Sequence, residues 1–253
     1  MVLGPRMRLP APFCIAGDHI AIDLPGARAV FTTRRGGFSR GRYDSLNLGL
    51  WTGDDRSAVM RNRDSLRRAI GVGFAYGRQV HGARIGLASM PSSDRLVQGD
   101  ADGQATATLG IGPMVVTADC LPVAIAGDGA VVMLHAGWRG LAAGVLAAGV
   151  GALRELGARG PLSGAIGPGA GPCCYEVGEE VQSVFASEGA SASAGKRPNL
   201  DLKAIARKGL ERAGVADVYD CELCTICSAP GLFYSHRRDQ GLTGRQAGIA
   251  WLT

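Results

Sequence analysis

The chain has 253 residues, which is enough for one large domain or two small ones. Its contents of 46% hydrophobic and 19% charged residues are typical of a soluble globular protein and argue against a disordered chain. The net charge of +5 arises without a long basic run and with few aromatic residues, so the composition argues against nucleic-acid binding and favours a small anionic substrate.

The N-terminal residues, the most apolar stretch of the chain and the cysteine content bear on the cellular location. Residues 1–10 contain Gly, Pro and Arg where a signal peptide has a continuous apolar region. The most apolar stretch, residues 141–153, is too short to span a bilayer and is rich in Ala and Gly, which predicts a buried helix. Seven cysteines without an export signal favour a reducing compartment, where cysteines remain free thiols or bind metals. We expect a cytoplasmic protein that does not contact a membrane.

The first third of the chain predicts a strand, a helix and a second strand. Residues 13–33 alternate in polarity and predict a strand. A helix follows, capped by Asp54 or Asp55, with apolar residues recurring on one face. Residues 78–87 predict a strand that carries His81.

The middle of the chain predicts a β-hairpin. Residues 113–125 and 130–135 are apolar runs, and the Gly-Asp-Gly sequence at 127–129 separates them with a turn signal. Cys120 should lie on the first strand and His135 at the end of the second. Antiparallel pairing would then bring these two side chains close together.

The last third of the chain combines a rigid loop with two helices. The Gly/Pro-rich residues 167–172 predict a loop without regular structure, followed by a helix at 179–186. The Ser/Ala/Gly-rich residues 187–198 predict a mobile surface loop, and residues 201–213 predict a second helix. Strands and helices alternate irregularly, without an internal repeat or a clear linker. We therefore predict a single mixed α/β or α+β domain over residues 1–253.

Three side chains lie in unusual local sequences that suggest a catalytic metal site. His81 lies in Gln-Val-His-Gly, Cys120 in Ala-Asp-Cys-Leu-Pro, and His135 in His-Ala-Gly-Trp-Arg-Gly. Two imidazoles and a thiolate suit Zn²⁺, and three protein ligands leave one coordination position open. The gaps of 39 and 15 residues match no compact metal motif, so the spacing alone leaves two structural histidines and a buried thiol as an alternative.

Together these segments resemble the bacterial laccase-domain proteins, first described as multicopper polyphenol oxidases and later assigned as purine nucleoside phosphorylases. The resemblance extends in fixed order from residue 31 to residue 248. Its segments are FTTRRGGFS (31–39), SLNLG (45–49), GDD (53–55), QVHG (79–82), ADCLPV (118–123), HAGWRG (135–140), GPCCYEVG (171–178), CT (224–225), FYSHRRD (233–239) and TGRQAG (243–248). The combination of HAGWRG with GPCCYEVG is highly specific.

The resemblance implies Zn²⁺ bound by His81, Cys120 and His135, with copper as an alternative ion. The implied fold is a mixed α/β sandwich, a single α+β domain whose mixed β-sheets are flanked by helices. The implied activity is phosphorolysis of adenosine, inosine and guanosine, with side activities on methylthioadenosine and in adenosine deamination. The expected partners are therefore a purine nucleoside and phosphate, and the oligomeric state stays open between a monomer and a weak homodimer.

Phosphorolysis requires cations that bind phosphate, and guanidinium groups do so with two parallel hydrogen bonds. The candidates are Arg34, Arg35, Arg139, Arg237, Arg238 and Arg245, and of these Arg34, Arg139 and Arg245 are favoured because each lies close to a glycine of the matching segments. Asn47 is a candidate for binding a purine edge or a sugar hydroxyl, although an asparagine that stabilises a turn is an equal alternative.

Three further residues are candidates for the site. Asp119 can orient a ligand imidazole or accept a proton, with an ordinary capping carboxylate as the alternative. Cys173 and Tyr175 follow the rigid loop and are candidates to line the pocket.

The resemblance does not account for the spacing of the last three cysteines. Cys221, Cys224 and Cys227 are three residues apart and resemble half of a metal or cluster site. Because the sequence offers no evident Cys-rich partner, we predict that these three remain reduced thiols.

Three alternative functions remain beside the phosphorylase that we predict. A laccase needs many imidazoles, which four histidines cannot supply, but a His₂Cys site also suits a single copper. A cysteine hydrolase would use Cys120 as nucleophile and His135 as base. A non-catalytic metal-binding protein is the third alternative.

Overall fold

The computed structural model describes residues 8–92, 99–186 and 199–253. Within these residues the strands are β1 (Cys14–Ala16), β2 (His19–Leu24), β3 (Ala27–Phe31), β4 (Gly73–Ala75), β5 (Ile85–Leu87), β6 (Gly103–Thr106), β7 (Ile111–Thr117), β8 (Leu121–Gly127), β9 (Ala130–Ala136), β10 (Leu162–Ile166), β11 (Val215–Asp220) and β12 (Gln246–Leu252). The helices are α1 (Arg56–Ile70), α2 (Trp138–Ala142), α3 (Val145–Glu155), α4 (Glu179–Val184) and α5 (Leu202–Arg212).

The strands form two mixed sheets. The first has the order β1-β2-β3-β12-β7-β4 and is antiparallel except for the β4–β7 pair. The second has the order β11-β10-β8-β9-β6-β5, with parallel pairs at both edges, β10–β11 and β5–β6. Two parallel neighbouring strands end on the same side of the sheet, so the loops that follow them lie close together. This arrangement decides which distant loops meet.

The two sheets pack face to face, and their outer faces are covered by helices. Ile22 and Phe31 of the first sheet join Met133 of the second in one buried cluster. The next residue of β9, Leu134, points to the opposite face and packs with α3 and α5. On the other side, Leu66 of α1 packs on the first sheet. The predicted mixed α/β sandwich is confirmed.

Local signals account for the helix and the hairpin that the sequence predicts. The side chain of Asp55 accepts a hydrogen bond from the backbone N–H of Ser57 and caps α1, and Gly71 ends the helix at φ 82°. The turn at Asp128 and Gly129 joins β8 to β9 as a hairpin, with Gly129 at φ 74°. Both elements are confirmed.

Several predicted elements are interrupted by residues with positive φ. The alternating run 13–33 is three strands, because Gly17 and Gly26 each adopt positive φ and reverse the chain. The predicted buried helix breaks at Gly144, which separates α2 from α3. The predicted strand at 78–87 is reduced to β5, and His81 lies in a turn at φ 62°.

The apolar run 113–125 is also divided, so the prediction that Cys120 lies on a strand is wrong. Asp119 adopts φ 88°, which ends β7 at Thr117 and leaves Cys120 in the bend before β8. The predicted loop at 187–198 lies outside the described residues. In the described parts of the chain, no helix is both long and apolar enough to cross a bilayer.

Candidate metal centre and cavity

Two imidazoles and one thiol converge in the second sheet, where β8 begins and β9 ends. The ligand atoms of His81, Cys120 and His135 all lie within 4.8 Å of one another. In the β8–β9 hairpin, Pro122 pairs with His135, so the residues just before β8 lie beside the end of β9. His81 reaches the same point from its turn, and its ring centroid is 4.8 Å from that of His135. The structure therefore brings the three predicted ligands together.

A buried carboxylate, Asp102, fixes the position of both histidines. It accepts hydrogen bonds from the backbone N–H groups of Val80 (3.1 Å), His81 (2.9 Å) and Gly82 (2.7 Å). Its Oδ1 also lies 2.8 Å from Nδ1 of His135. These bonds stabilise the left-handed backbone of His81, and with Nδ1 of His135 bound to Asp102, Nε2 is the nitrogen available for a metal.

Sequence reasoning missed Asp102. It lies in a Gly-Asp-Ala-Asp-Gly run that is typical of a polar turn, and nothing in that run suggests a buried carboxylate. The pairing of β6 with β9, in which the N–H of His135 donates to the Asp102 carbonyl at 2.7 Å, brings it beside His81 and His135.

The electrostatics of the site favour the thiolate. Burial raises the pKa of Cys120, but the charges and hydrogen bonds of His135 and His81 outweigh burial and lower that pKa to about 6. Burial lowers the pKa of His135, whereas Cys120 and Asp102 raise it, with a net value of about 9. The thiolate is the form of cysteine that binds a metal or acts as a nucleophile.

Because Gly137 has no side chain, it leaves room for the side chains of Cys120 and His81. A Cβ atom at this position would lie 2.8 Å from Sγ of Cys120 and 3.3 Å from Cδ2 of His81. Any side chain larger than hydrogen would push against two of the three ligand residues. The glycine that follows His135-Ala136 is thus required by the packing around Cys120.

The carboxylate of Asp119 forms hydrogen bonds with neighbouring segments of the chain and not with His81 or His135. Its carboxylate accepts hydrogen bonds from the hydroxyls of Thr225 (2.6 Å) and Ser235 (3.1 Å) and from the backbone N–H of Arg237 (2.7 Å). The imidazole-orienting role that the sequence suggested for Asp119 belongs to Asp102. Asp119 instead connects the metal-ligand bend to two distant segments of the chain.

The three ligand residues open into a cavity of about 490 Å³, a volume typical of small-molecule sites. Polar, charged and aromatic side chains share the lining. The lining residues are Gly49, Trp51, Thr52, Gln79, His81, Val116, Thr117, Ala118, Asp119, Cys120, His135, Trp138, Arg139, Tyr175, Leu202, His236, Arg237 and Arg245.

Three arginines contribute positive charge to the lining of the cavity. The guanidinium of Arg139 lies 4.4 Å from the ring centroid of Trp138, and that of Arg237 lies 5.2 Å from the ring of Tyr175. Burial lowers the pKa of Arg245, while the negative charges of nearby residues raise it. Guanidinium groups remain charged in proteins, so the cavity is suited to an anion.

The structure places Arg34 outside this cavity. Its guanidinium donates to the backbone carbonyls of Asp44 (2.5 Å), Pro230 (3.0 Å) and Arg42 (3.3 Å) and lies 4.4 Å from the ring centroid of Tyr234. The side chain therefore joins distant segments and contributes to the fold. The placement corrects the expectation that Arg34 faces the site.

Asn47 also lies outside the cavity, but it supports a residue inside it. Its side chain is fully buried, and Oδ1 accepts the backbone N–H groups of Gly49 (3.0 Å) and Arg245 (2.8 Å). Nδ2 donates to Thr52 and Asp54, both at 2.9 Å. The structure thus favours the turn-stabilising alternative, and Asn47 positions the backbone of Arg245.

The sequence analysis did not identify two further residues of the site, Gln79 and Trp51. The amide of Gln79 both donates to and accepts from the backbone of Val116, at 2.8 Å each way, and fixes the turn that carries His81. Trp51 is 60% exposed at the cavity. Gln79 stands two residues before His81, which is a usable signal, whereas nothing in the sequence near Trp51 indicates its position.

Cys173 lies outside the cavity. It belongs to a separate group with Cys174, Cys224 and Cys227. This group corrects the expectation that Cys224 and Cys227 have no cysteine partner. Cys221 is buried in the core between the sheets and belongs to neither group.

Comparison with known proteins identifies a family and several relatives. The family described as multi-copper polyphenol oxidoreductase laccase matches residues 28–253. A purine nucleoside phosphorylase of Xylella fastidiosa is 41% identical over 248 residues, which cover 90% of this chain and 93% of that protein. A purine nucleoside phosphorylase of Streptomyces coelicolor is 41% identical over 236 residues, covering 90% and 96%.

Solved structures show the same fold. The Neisseria meningitidis protein NMB0706 superposes with a TM-score of 0.82 at 35% identity, covering 93% of this chain and 99% of that one. YlmD from Geobacillus stearothermophilus superposes with a TM-score of 0.87 at 34% identity, covering 96% and 99%.

Proposed function

This chain belongs to the multi-copper polyphenol oxidoreductase laccase family, and we propose that it is a zinc-dependent purine nucleoside phosphorylase acting on adenosine, inosine and guanosine. Relatives that are 41% identical over nine-tenths of the chain carry the name purine nucleoside phosphorylase. The observation that carries the proposal is the juxtaposition of a His₂Cys ligand set with three arginines in one cavity. A cytoplasmic location is part of the same proposal.

The residues present fit a zinc ion. His81, Cys120 and His135 would hold it, because their ligand atoms converge and Gly137 leaves space around the thiolate. Asp102 fixes the ring of His135 from the far side. When bound, zinc supplies a Lewis acid for a substrate or phosphate oxygen.

Arginines of the cavity are suited to bind the incoming phosphate. Arg139, Arg237 and Arg245 line it, and a guanidinium fork neutralises a phosphate dianion through two parallel hydrogen bonds. A phosphate oxygen then forms a bond to C1′ of the ribose as the N-glycosidic bond breaks. The products are the free purine and ribose 1-phosphate.

Aromatic side chains provide a surface for the purine. Trp51 is exposed at the cavity, and Trp138 and Tyr175 line it as well. Burial raises the pKa of Tyr175 to about 12, with the charge of Cys120 acting in the same direction. The phenol therefore stays protonated and can donate a hydrogen bond to the departing base.

We propose that the same cavity accepts methylthioadenosine and deaminates adenosine as side activities. Phosphate-dependent release of adenine from methylthioadenosine tests the first, and release of ammonia from adenosine tests the second. Loss of both activities together with phosphorolysis in Cys120→Ala would support one shared site.

A cysteine hydrolase is the second candidate, and one observation favours it. Cys120, His135 and Asp102 have the arrangement of a nucleophile, a base and an orienting carboxylate. Such an enzyme needs no metal. Full activity of thoroughly chelated protein would favour the hydrolase, and loss of activity that returns with zinc would favour the phosphorylase.

The oxidase implied by the family's description has weaker support. The sequence has four histidines, too few for a blue-copper site and a trinuclear cluster. The His₂Cys set itself suits a single copper as well as zinc. Elemental analysis after purification without added metal distinguishes the two ions, and several coppers per chain would revive the oxidase.

The decisive experiment measures the phosphate requirement of nucleoside cleavage. We expect turnover of inosine or adenosine only with phosphate, and ribose 1-phosphate as the product by mass spectrometry. Cys120→Ala should lose turnover together with the metal of the His₂Cys centre, whereas Cys14→Ala, which removes an exposed thiol outside the site, should retain both. Equal rates without phosphate, with free ribose as the product, would instead assign a hydrolase.

A further inference from the structure

Four cysteine thiols from two distant segments meet outside the cavity. Cys173 and Cys174 lie in the loop that follows β10, and Cys224 and Cys227 lie in the loop that follows β11. Because β10 and β11 are parallel neighbours, both loops leave the same edge of the second sheet. A bridge between Gly169 and Cys224 continues the pairing into these loops.

The spacing of the four sulfur atoms matches a single tetrahedral ion. All four Sγ atoms lie within 4.8 Å of one another, and those of Cys173 and Cys227 are 3.5 Å apart. Four thiolates at a Zn–S distance of 2.3 Å would be separated by about 3.8 Å. An iron–sulfur cubane would have to fit between the sulfurs and would spread them further apart.

The surrounding backbone favours a thiolate at Cys224. The N–H of Gly171 donates to Sγ of Cys224 at 3.3 Å, which stabilises negative charge on that sulfur. A Cβ atom on Gly171 would lie 3.3 Å from Sγ of Cys173 and 3.4 Å from Sγ of Cys224. Glycine therefore lets the backbone approach both sulfurs. The Cys-x-x-Cys spacing of Cys224 and Cys227 is the common spacing of paired zinc ligands.

We propose that Cys173, Cys174, Cys224 and Cys227 bind a second Zn²⁺. Four protein thiolates complete the coordination of zinc and leave no open position, so the site is structural and distinct from the His₂Cys centre. The ion would join the loops after β10 and β11, which are also connected by backbone hydrogen bonds from Gly169 to Leu223 (3.3 Å) and from Thr225 to Gly169 (2.9 Å).

This second site lies directly behind one wall of the cavity. Tyr175, which lines the cavity, follows Cys174 in the chain. Thr225, between the other two ligands, donates its hydroxyl to Asp119 at 2.6 Å. The ion would therefore fix the position of both residues without touching a substrate.

Metal content measured by elemental analysis tests the proposal independently of any enzymatic activity. Protein purified with reductant and incubated with Zn²⁺ alone, then desalted, should contain two zinc ions per chain. Cys173→Ser/Cys227→Ser should contain one, and so should Cys120→Ala. The matched control Cys14→Ser removes an exposed thiol outside both groups and should keep two.

A wild-type protein that binds one zinc, lost in Cys120→Ala, would overturn the proposal. So would iron at the second site, or a disulfide within the group that persists in reductant. If the double variant is insoluble, the zinc released during stepwise modification of the wild-type thiols with a mercurial reagent is measured instead. Release of a second zinc by modification of Cys173, Cys174, Cys224 and Cys227, located by mass spectrometry, supports the site, and its absence contradicts it.

Discussion

The carboxylate of Asp102 lies 2.8 Å from Nδ1 of His135, and both side chains are buried. The same carboxylate accepts three backbone N–H groups from the turn that carries His81. One acidic residue therefore sets the ring orientation of one proposed ligand and the backbone conformation of another. Such outer contacts commonly determine how tightly a metal is held.

Asp102→Asn should weaken zinc binding about 10- to 100-fold, because an amide is a weaker acceptor for the imidazole N–H than a carboxylate. Competition with a chromophoric chelator measures the change, and circular dichroism checks the fold. Asp100→Asn is the matched control, since Asp100 is an exposed carboxylate that pairs with Arg78. Unchanged zinc affinity in Asp102→Asn would contradict the orienting role.

Gly137→Ala should impair the metal centre, since its Cβ would lie 2.8 Å from Sγ of Cys120. Overpacking of this kind costs about 1–3 kcal/mol, which corresponds to about a 5- to 150-fold loss of zinc affinity if the ligands carry the strain. Gly151→Ala is the control, because nothing lies within 4 Å of a Cβ at that position in α3. It should be neutral or stabilise the protein by up to about 1 kcal/mol. Equal zinc affinities in the two variants would refute the packing argument.

Arg245→Ala should raise the phosphate KM far more than the nucleoside KM. Loss of a charge-assisted hydrogen bond costs about 1.5–3 kcal/mol, or about 10- to 150-fold in phosphate KM. Arg245→Lys should recover only part of the loss, because it keeps the charge but not the fork. A rise confined to the nucleoside KM would place phosphate elsewhere in the cavity.

Arg34→Ala should affect stability instead of phosphate binding. Its guanidinium donates to three backbone carbonyls and packs on the ring of Tyr234. We expect the free energy of unfolding to fall by roughly 1–3 kcal/mol, with the phosphate KM of the folded enzyme unchanged. Denaturant unfolding and initial-rate kinetics measure the two quantities. A selective rise in phosphate KM would return Arg34 to the candidates for phosphate binding.

Local sequence signals were sufficient to predict some of the helices and strands. The cap at Asp54 or Asp55 and the apolar residues on one face predict α1, and the Gly-Asp-Gly turn at 127–129 predicts the β8–β9 hairpin. The hairpin in turn predicts that Cys120 approaches His135. These features depend on local hydrogen bonds and backbone conformations, which neighbouring residues determine directly.

Contacts between distant segments were decided only by the tertiary structure. Asp102 reaches His135 because β6 pairs with β9, and Cys173 meets Cys227 because β10 and β11 run in parallel. Arg34 and Arg245 both stand near motif glycines and both donate to backbone carbonyls, yet of the two it is Arg245 that lines the cavity. The local sequence determines which chemical groups are available. The order and direction of the strands determine which groups meet, because strand pairing depends on burial across the whole sheet and not on any single segment.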